Sequence, residues 1–456
     1  MAQKSTNCVL GIPDCDSVSD ISDSGTEFTV TLDPGHIQAV CPLCEGNSLT
    51  SKGNSREQVI YHIPRGRTAT LMHISFPRFY CKDCGVSFTY RPDWIHPWLP
   101  ITKVLFHSIL SDFSSTKSMR EIASDNCVSE RIVRSVFDAV SIHPDHTLAT
   151  TICIDEFKGD SGTFDTESRR WRRRRFQCNV VNGDNHSVID ILPSRDYQSL
   201  KAYFMDYPAH ERKNVQYLCC DMHSGFAKLR HRVFPNAILC IDRFHVVQRL
   251  NNAVNYVRIR YQKELKARLD VNENDKEAET LYKLLKDSAH LLTTKESNYT
   301  VYWESDILAK KQLKLAEIFS LFPDLQVVND YLQEFHVLTA QRDDALRSLA
   351  LSEWIRRAKS SEVPELRDAA ATIETWKEYI LNGLREGRNN STCEGLNRKI
   401  KDIKRNASGF KNFDNFRKRI LLACGSPLLK KEYSYSRKNS GKAASPVRKG
   451  GDCNEA

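Results

Sequence analysis

Several absences narrow this chain before any motif is considered. No apolar run approaches the roughly 18–20 residues needed to cross a bilayer, so no spanning helix is expected and no membrane partner with it. The N-terminus has no basic stretch followed by an apolar core, so a secretory leader is not expected either. No internal similarity recurs at solenoid periods, which sets a repeat array aside. Cysteine is plentiful at 15 residues, but a disulfide framework is missing. The number is odd, and many are isolated inside apolar, strand-like runs, as are Cys153, Cys178, Cys219, Cys220 and Cys240. That usage fits a reducing compartment, and a cytoplasmic location is expected.

What is present is enough for about two to four domains in 456 residues. Lys plus Arg number 66 against 57 Asp plus Glu, a net charge of +9 that is unevenly placed. Basic runs occupy 169–175, 398–419 and 430–449, while the first 35 residues are acidic and serine-rich. Separate basic patches suit a polyanion, with nucleic acid the default partner. Composition divides the chain into a poorly ordered acidic segment, 1–35, and a small β-rich module, 36–100. Helices follow over 101–148, then alternating strands and helices over 149–250, the mark of an α/β domain. Long charged helices with few glycines fill 251–385, a loop and basic helix 386–428, and a flexible basic tail 429–456.

Cys41-Pro-Leu-Cys44 and Cys81-Lys-Asp-Cys84 are two CxxC pairs 36 residues apart. Each can form a knuckle that presents two thiolates, and four thiolates complete a closed, structural tetrahedral Zn²⁺ site. Gly85 follows the second pair, where a sharp turn needs it. The wide spacing predicts a zinc ribbon with an enlarged β-hairpin.

Residues 116–140 carry two apolar stripes, Met119, Ile122 and Ala123, then Ile132, Val133, Val136 and Val140. Ser124-Asp125-Asn126 breaks the pattern as a turn and Ser129 can cap the second helix. A helix-turn-helix of this kind would offer Arg131 and Arg134 to a DNA groove. Any compact helical hairpin produces the same pattern.

Four acidic residues carry the chemistry. Asp155, Asp221 and Asp242 end apolar, strand-like runs (ICID, YLCCD, LCID), and Glu394 opens a helix in STCEGLNRKIK. A carboxylate at the mouth of a sheet packs poorly but can hold a divalent cation, and a cluster of them suits paired Mg²⁺, or Mn²⁺, in phosphoryl transfer. The order from residue 152, three strands, a helix, a strand, a helix and a strand, resembles the ribonuclease-H-like order, which makes the first and fourth strands neighbours. Alternatives stay open at each position. Glu156 directly follows Asp155, and strand alternation puts the two on opposite faces. Asp242 is held in reserve for Asp221. Ser391-Thr392-Cys393-Glu394 also fits a capping box, in which the acid merely closes a helix start. Against that, Leu396, Ile400 and Ile403 read as the buried stripe, leaving Glu394, Asn397, Arg398 and Lys401 on another face, a carboxylate beside phosphate-binding cations. The hairpin-like run Arg169–Arg175 surrounds Trp171 with six arginines, and Arg170, Arg172, Arg173 and Arg174 are candidate phosphate contacts.

The CPLC…CKDC pairs, the IDEF strand, DMHSGF, IDRFHVVQRLNNAVNYVR and NSTCEGLNRKIKDIKRNASGFKNFDNFRKRILL together resemble the transposases of the ISL3 family of bacterial insertion sequences, over about residues 38–428. The resemblance implies a DDE-type, ribonuclease-H-like catalytic domain (149–250 and 386–428) interrupted by the helical segment 251–385. It implies Asp155, Asp221 and Glu394 as the metal-holding triad. It further implies cleavage and joining of double-stranded DNA at transposon ends and target, a dimer or larger assembly on DNA, and a nucleoid-associated bacterial protein. The rival expectation is a non-enzymatic, zinc-dependent DNA-binding relic, and a third is a structure-specific nuclease.

Overall fold

A computed structural model describes residues 16–34, 39–142, 147–159, 162–165, 170–173, 176–295, 305–388 and 390–425. The tail expected over 429–456 lies outside the described residues, as does Arg174. The chain divides into two compact units, one within 1–144, 160–173 and 398–456, the other within 145–159 and 174–397.

The first unit begins with seven strands: β1 (Asp16–Asp23), β2 (Glu27–Pro34), β3 (Leu49–Asn54), β4 (Gln58–Arg65), β5 (Thr68–Ile74), β6 (Pro77–Cys81) and β7 (Ser87–Thr89). They form two sheets, β1-β2-β5-β4 and β3-β6-β7. Residues 16–34 therefore depart from the expected lack of order. The run Phe28-Thr-Val-Thr-Leu32 alternates apolar and polar, so one face is buried when β2 aligns parallel to β5. Val30 and Leu32 then join Ile60, Met72, Ile74 and Phe76 in one cluster. Gly25, at φ +81°, makes the turn between β1 and β2. The enlarged hairpin expected between the cysteine pairs is β4–β5, and it belongs to this sheet rather than to the one carrying the cysteines.

Three helices follow, Lys103–Asp112, Met119–Asp125 and Glu130–Ala139. Ser118 and Glu121 form a capping box, and Ser129 accepts from the Ile132 amide as its sequence position suggested. Phe106, Ile109, Phe113, Ile122, Val133, Val136 and Phe137 pack together, with Leu422 from the helix Phe413–Cys424. Arg419 of that helix is buried, and its guanidinium donates to the carbonyls of Phe113, Ser115 and Lys117 at 2.6, 2.8 and 2.9 Å. Burial lowers its pKa to about 10, so it stays charged at neutral pH and satisfies orphan acceptors beyond a helix end.

The second unit is built on β8 (Thr151–Phe157). The chain next makes the antiparallel hairpin β9 (Gly162–Asp165) and β10 (Arg170–Arg173), which belongs to the first unit. It returns as β11 (Gln177–Asn182), β12 (Val188–Leu192), β13 (Tyr217–Cys220) and β14 (Ile238–Ile241). The sheet order is β12-β11-β8-β13-β14, with β11 antiparallel to β8 and β12, and β8, β13 and β14 mutually parallel. The pairing of β8 with β13 makes the first and fourth strands neighbours, as the element order suggested. One face of the sheet (Ile152, Ile154, Val180, Leu218, Leu239, Ile241) enters the main core. The helix Arg243–Val271 begins directly after Asp242, so the helical region starts earlier than residue 251. It packs with Pro323–Ala340, Asp344–Lys359 and Pro364–Glu386 through Leu250, Val254, Leu332, Trp354 and Ile373. Gly383 lets the last of these helices approach the sheet, since a Cβ there would lie 2.4 Å from the Ile241 carbonyl oxygen. No helix among the described residues is long and apolar enough to cross a membrane.

Candidate functional site

In the first unit the two CxxC pairs converge. Cys41 Sγ lies 3.5 Å from Cys84 Sγ, and Cys44 Sγ lies 3.6 Å from Cys81 Sγ. All four sulfurs lie within 4.8 Å of one another. A tetrahedron with Zn–S bonds of about 2.3 Å has edges of about 3.8 Å, so these thiols fit Zn²⁺ with small adjustment. Each pair ends in a positive-φ residue, Glu45 at 64° and Gly85 at 73°, which closes the knuckle. The Cys44 backbone amide lowers the Cys41 thiol to about 7, while Cys44, lowered by the Gly46 amide but raised further by its bonds to the other thiols, stands at about 12.

In the second unit the sheet register sets the acidic residues. Cys153 pairs with Cys219 and Cys219 with Cys240, a row of thiols across β8, β13 and β14. Two residues further along in the same register come Asp155, inside β8, and Asp221 and Asp242, each the first residue past the end of its strand. Asp155 is buried. Its Oδ1 accepts from the Glu156 amide at 2.8 Å, and its Oδ2 accepts from Asn397 Nδ2 at 2.8 Å. Asn397 Oδ1 in turn accepts from Asn179 Nδ2 at 2.9 Å. Glu156 instead pairs with Arg195, whose guanidinium lies over the Phe176 ring. Asp221 differs from both. Its Oδ1 is buried with no hydrogen-bond partner among the described residues. Burial, then the charge of Glu156, raises its pKa to about 6, and burial also raises that of Asp155. Carboxylates gathered where their charge is penalised, one with an orphan oxygen, form a donor set that fits a divalent cation.

Asp242 has structural partners. Its Oδ1 caps the helix Arg243–Val271 by accepting from the Phe244 amide, and its Oδ2 accepts from the Asn390 amide, both at 3.0 Å. Asp242, His245 and Glu394 offer ligand atoms within 4.8 Å of one another, and among the described residues no such group includes Asp155 or Asp221. Glu394 therefore comes together with the reserve residue and a histidine, while Asp155 and Asp221 are neighbours by register. The helix Ser391–Asn406 starts after the buried Asn390, and the Glu394 amide donates to the Asn390 carbonyl. Glu394 is thus one position past the one a capping-box acid takes. Cys393, Asn397, Ile400 and Ile403 are its buried stripe, so Asn397 faces inward, contrary to the exposed face expected for it, because its amide bridges Asp155 and Asn179.

Arg398 and Lys401 are exposed, as are Arg131 and Arg134, the last ion-paired with Asp138 at 3.3 Å. Arg170, Arg172 and Arg173 lie on β10, and their side chains are outside the described residues. His245, Asn390 and Asn179 were not singled out in the sequence. The i, i+3 spacing of Asp242 and His245 at a helix start was the one signal available for them.

The profile of the ISL3 DDE family, described as "Transposase", matches residues 152–420, more than half of the chain. The transposase for insertion sequence element IS1001 of Bordetella parapertussis is 22% identical over 406 residues, covering 88% of this chain and 92% of its own length. The transposase for IS1557 of Mycobacterium tuberculosis is 24% identical over 257 residues, 53% of this chain and 55% of its own. The matched span contains every acidic residue of the sheet and Glu394, and on it the chain belongs to the ISL3 family of insertion-sequence transposases.

Proposed function

We propose that this transposase binds the ends of its insertion sequence and carries out divalent-metal-dependent cleavage and transfer of DNA strands. The observation that supports it most is the register that brings Asp155, Asp221 and Asp242 to the same edge of three parallel strands, Asp221 in the middle with an orphan oxygen. The strand order of this sheet supports a ribonuclease-H-like catalytic domain, interrupted by the helices between β14 and Ser391.

Asp155, Asp221 and Glu394 are assigned as the catalytic carboxylates. Asp242 and His245 are assigned to hold Glu394 in place, Asp242 through the Asn390 amide that opens its helix. Asn397 fixes one oxygen of Asp155 and leaves its other lone pairs for a ligand. Divalent ions bound there, Mg²⁺ or Mn²⁺, would supply a more acidic attacking hydroxyl and charge neutralisation at the leaving oxygen. In the reaction an oxygen of water, or of a 3′-hydroxyl at the joining step, forms a bond to phosphorus. The opposite P–O bond breaks and its oxygen leaves with a proton. No covalent enzyme intermediate is required. The four-cysteine module would hold structural Zn²⁺ and, with the three helices after it, contact the double-stranded ends through Arg131 and Arg134. The arginines of β10, Arg174, Arg398 and Lys401 would meet phosphates. Two ends must be held together, so a homodimer or larger assembly on DNA is expected, in a bacterial cytoplasm close to the nucleoid.

The test is a cleavage and joining assay on DNA carrying the inverted repeats that flank the gene. Metal-dependent nicking followed by joining supports the proposal. Zinc-dependent binding without nicking would leave only a DNA-binding relic, and nicking without joining a nuclease.

A further inference from the structure

Beside the acidic row the second unit has an open cavity of about 830 Å³, lined by Phe176, Arg195, Tyr197, His223, Gly225 and Lys228 among others. It adjoins the row through the chain itself, because the His223 amide donates to the Asp221 carbonyl at 2.8 Å and Ser224 then begins the helix Ser224–Arg232. Arg195 reaches from the cavity wall to Glu156, the residue after Asp155. Asp196 in the wall remains a carboxylate, but it is turned to cap the helix Tyr197–Met205, its oxygens accepting from the Ser199 amide and from the Ser194 and Ser199 hydroxyls. Lys228 is exposed and has no ion pair among the described residues. The cavity thus combines the exposed Lys228 ammonium, the Arg195 guanidinium 4.3 Å from the centre of the Phe176 ring, and the positive end of a helix dipole. It is wide enough for a nucleotide unit.

We propose that this cavity is a phosphate subsite that holds the DNA strand next to the bond being cut, with Lys228 as the principal charge and Arg195 as the wall that orients it. The ligand is a backbone phosphodiester one or a few nucleotides from the cleavage position. This deepens the strand-transfer function proposed above and rests on it.

The test measures binding of end DNA by the full chain without metal, so that cleavage plays no part. Lys228→Ala should weaken binding several-fold and lower the slope of log K against log salt by about 1, the change expected for one lost phosphate contact. Lys228→Arg should restore both. A set of duplexes, each with a single neutral methylphosphonate near the cleavage position, identifies the partner. One position should weaken the wild-type protein as much as Lys228→Ala does and add nothing to the loss in that variant. Unchanged affinity and slope in Lys228→Ala would overturn the subsite, and so would a loss that adds fully to that of every methylphosphonate. Such results would leave the transposase function standing, whereas wild-type protein that binds no end DNA would overturn both.

Discussion

The two candidate metal centres of this protein are built in opposite ways. The four-thiol centre draws on two short knuckles within 44 residues, each closed by a local turn, and its donors reach one another directly. The acidic centre draws on Asp155, Asp221, Asp242 and Glu394, spread over 240 positions: sheet register brings the three aspartates to one edge, and Glu394 reaches Asp242 from a separate helix. The first kind of centre is written in spacing and the second in topology. The thiols touch and form a closed, structural set. The three aspartates are neighbours by register, two with structural hydrogen bonds and one with an unpartnered oxygen.

The difference can be tested by breaking each centre. The largest effect is expected from Asp155→Ala, Asp221→Ala or Glu394→Gln. Each should lower strand cleavage roughly a thousandfold or more, the scale for removing one member of a catalytic set, with end binding nearly unchanged in a mobility-shift assay. Cys81→Ser should do the reverse. The first unit should lose zinc by metal analysis and melt earlier, since a structural zinc site contributes on the order of 10 kcal/mol to its module, and end binding should fall with it.

How far each centre was legible follows from the same contrast. Cys41, Cys44, Cys81 and Cys84 could be assigned from spacing because a CxxC knuckle is local. Apolar runs located β8, β13 and β14 and placed an acid at the end of each, because buried parallel strands are apolar on both faces. The strand neighbours followed from element order. The partner of Glu394 was not legible, since it depends on where a helix 150 residues downstream of Asp242 settles. Asn397 was assigned to the wrong face because a polar residue at a buried helical position looks exposed by pattern, and only its bonds to Asp155 and Asn179 explain its burial. The β1–β2 pair was missed because acidic composition outweighed the alternation of Phe28, Val30 and Leu32.

Smaller effects sharpen the contrast within the acidic row itself. Asp221→Asn should stabilise the metal-free protein while abolishing cleavage. The folded pKa of Asp221 is about 6 against an ordinary 3.8. Its contribution to stability is therefore fully present below the unfolded pKa, is lost as pH rises from there through about 6, and leaves a net cost of about 3 kcal/mol near neutrality. The gain in Tm from the asparagine should appear above that range and vanish in acid. Asp242→Asn should act in the other direction, losing about 1 kcal/mol because its Nδ2 cannot accept from the Asn390 amide, while its Oδ1 still caps the helix. Both are read by thermal melts of chelated protein across pH.

Asp155, Asp221 and Glu394 as one divalent-metal centre are tested most directly by Mn²⁺ binding to the purified zinc-loaded chain, followed by electron paramagnetic resonance. The account predicts that Asp155→Asn, Asp221→Asn and Glu394→Gln each weaken Mn²⁺ binding at least about tenfold, as loss of one anionic oxygen ligand should, while Lys228→Ala leaves it unchanged. Mn²⁺ affinity that is equal in the wild-type protein and all three carboxylate variants would contradict it.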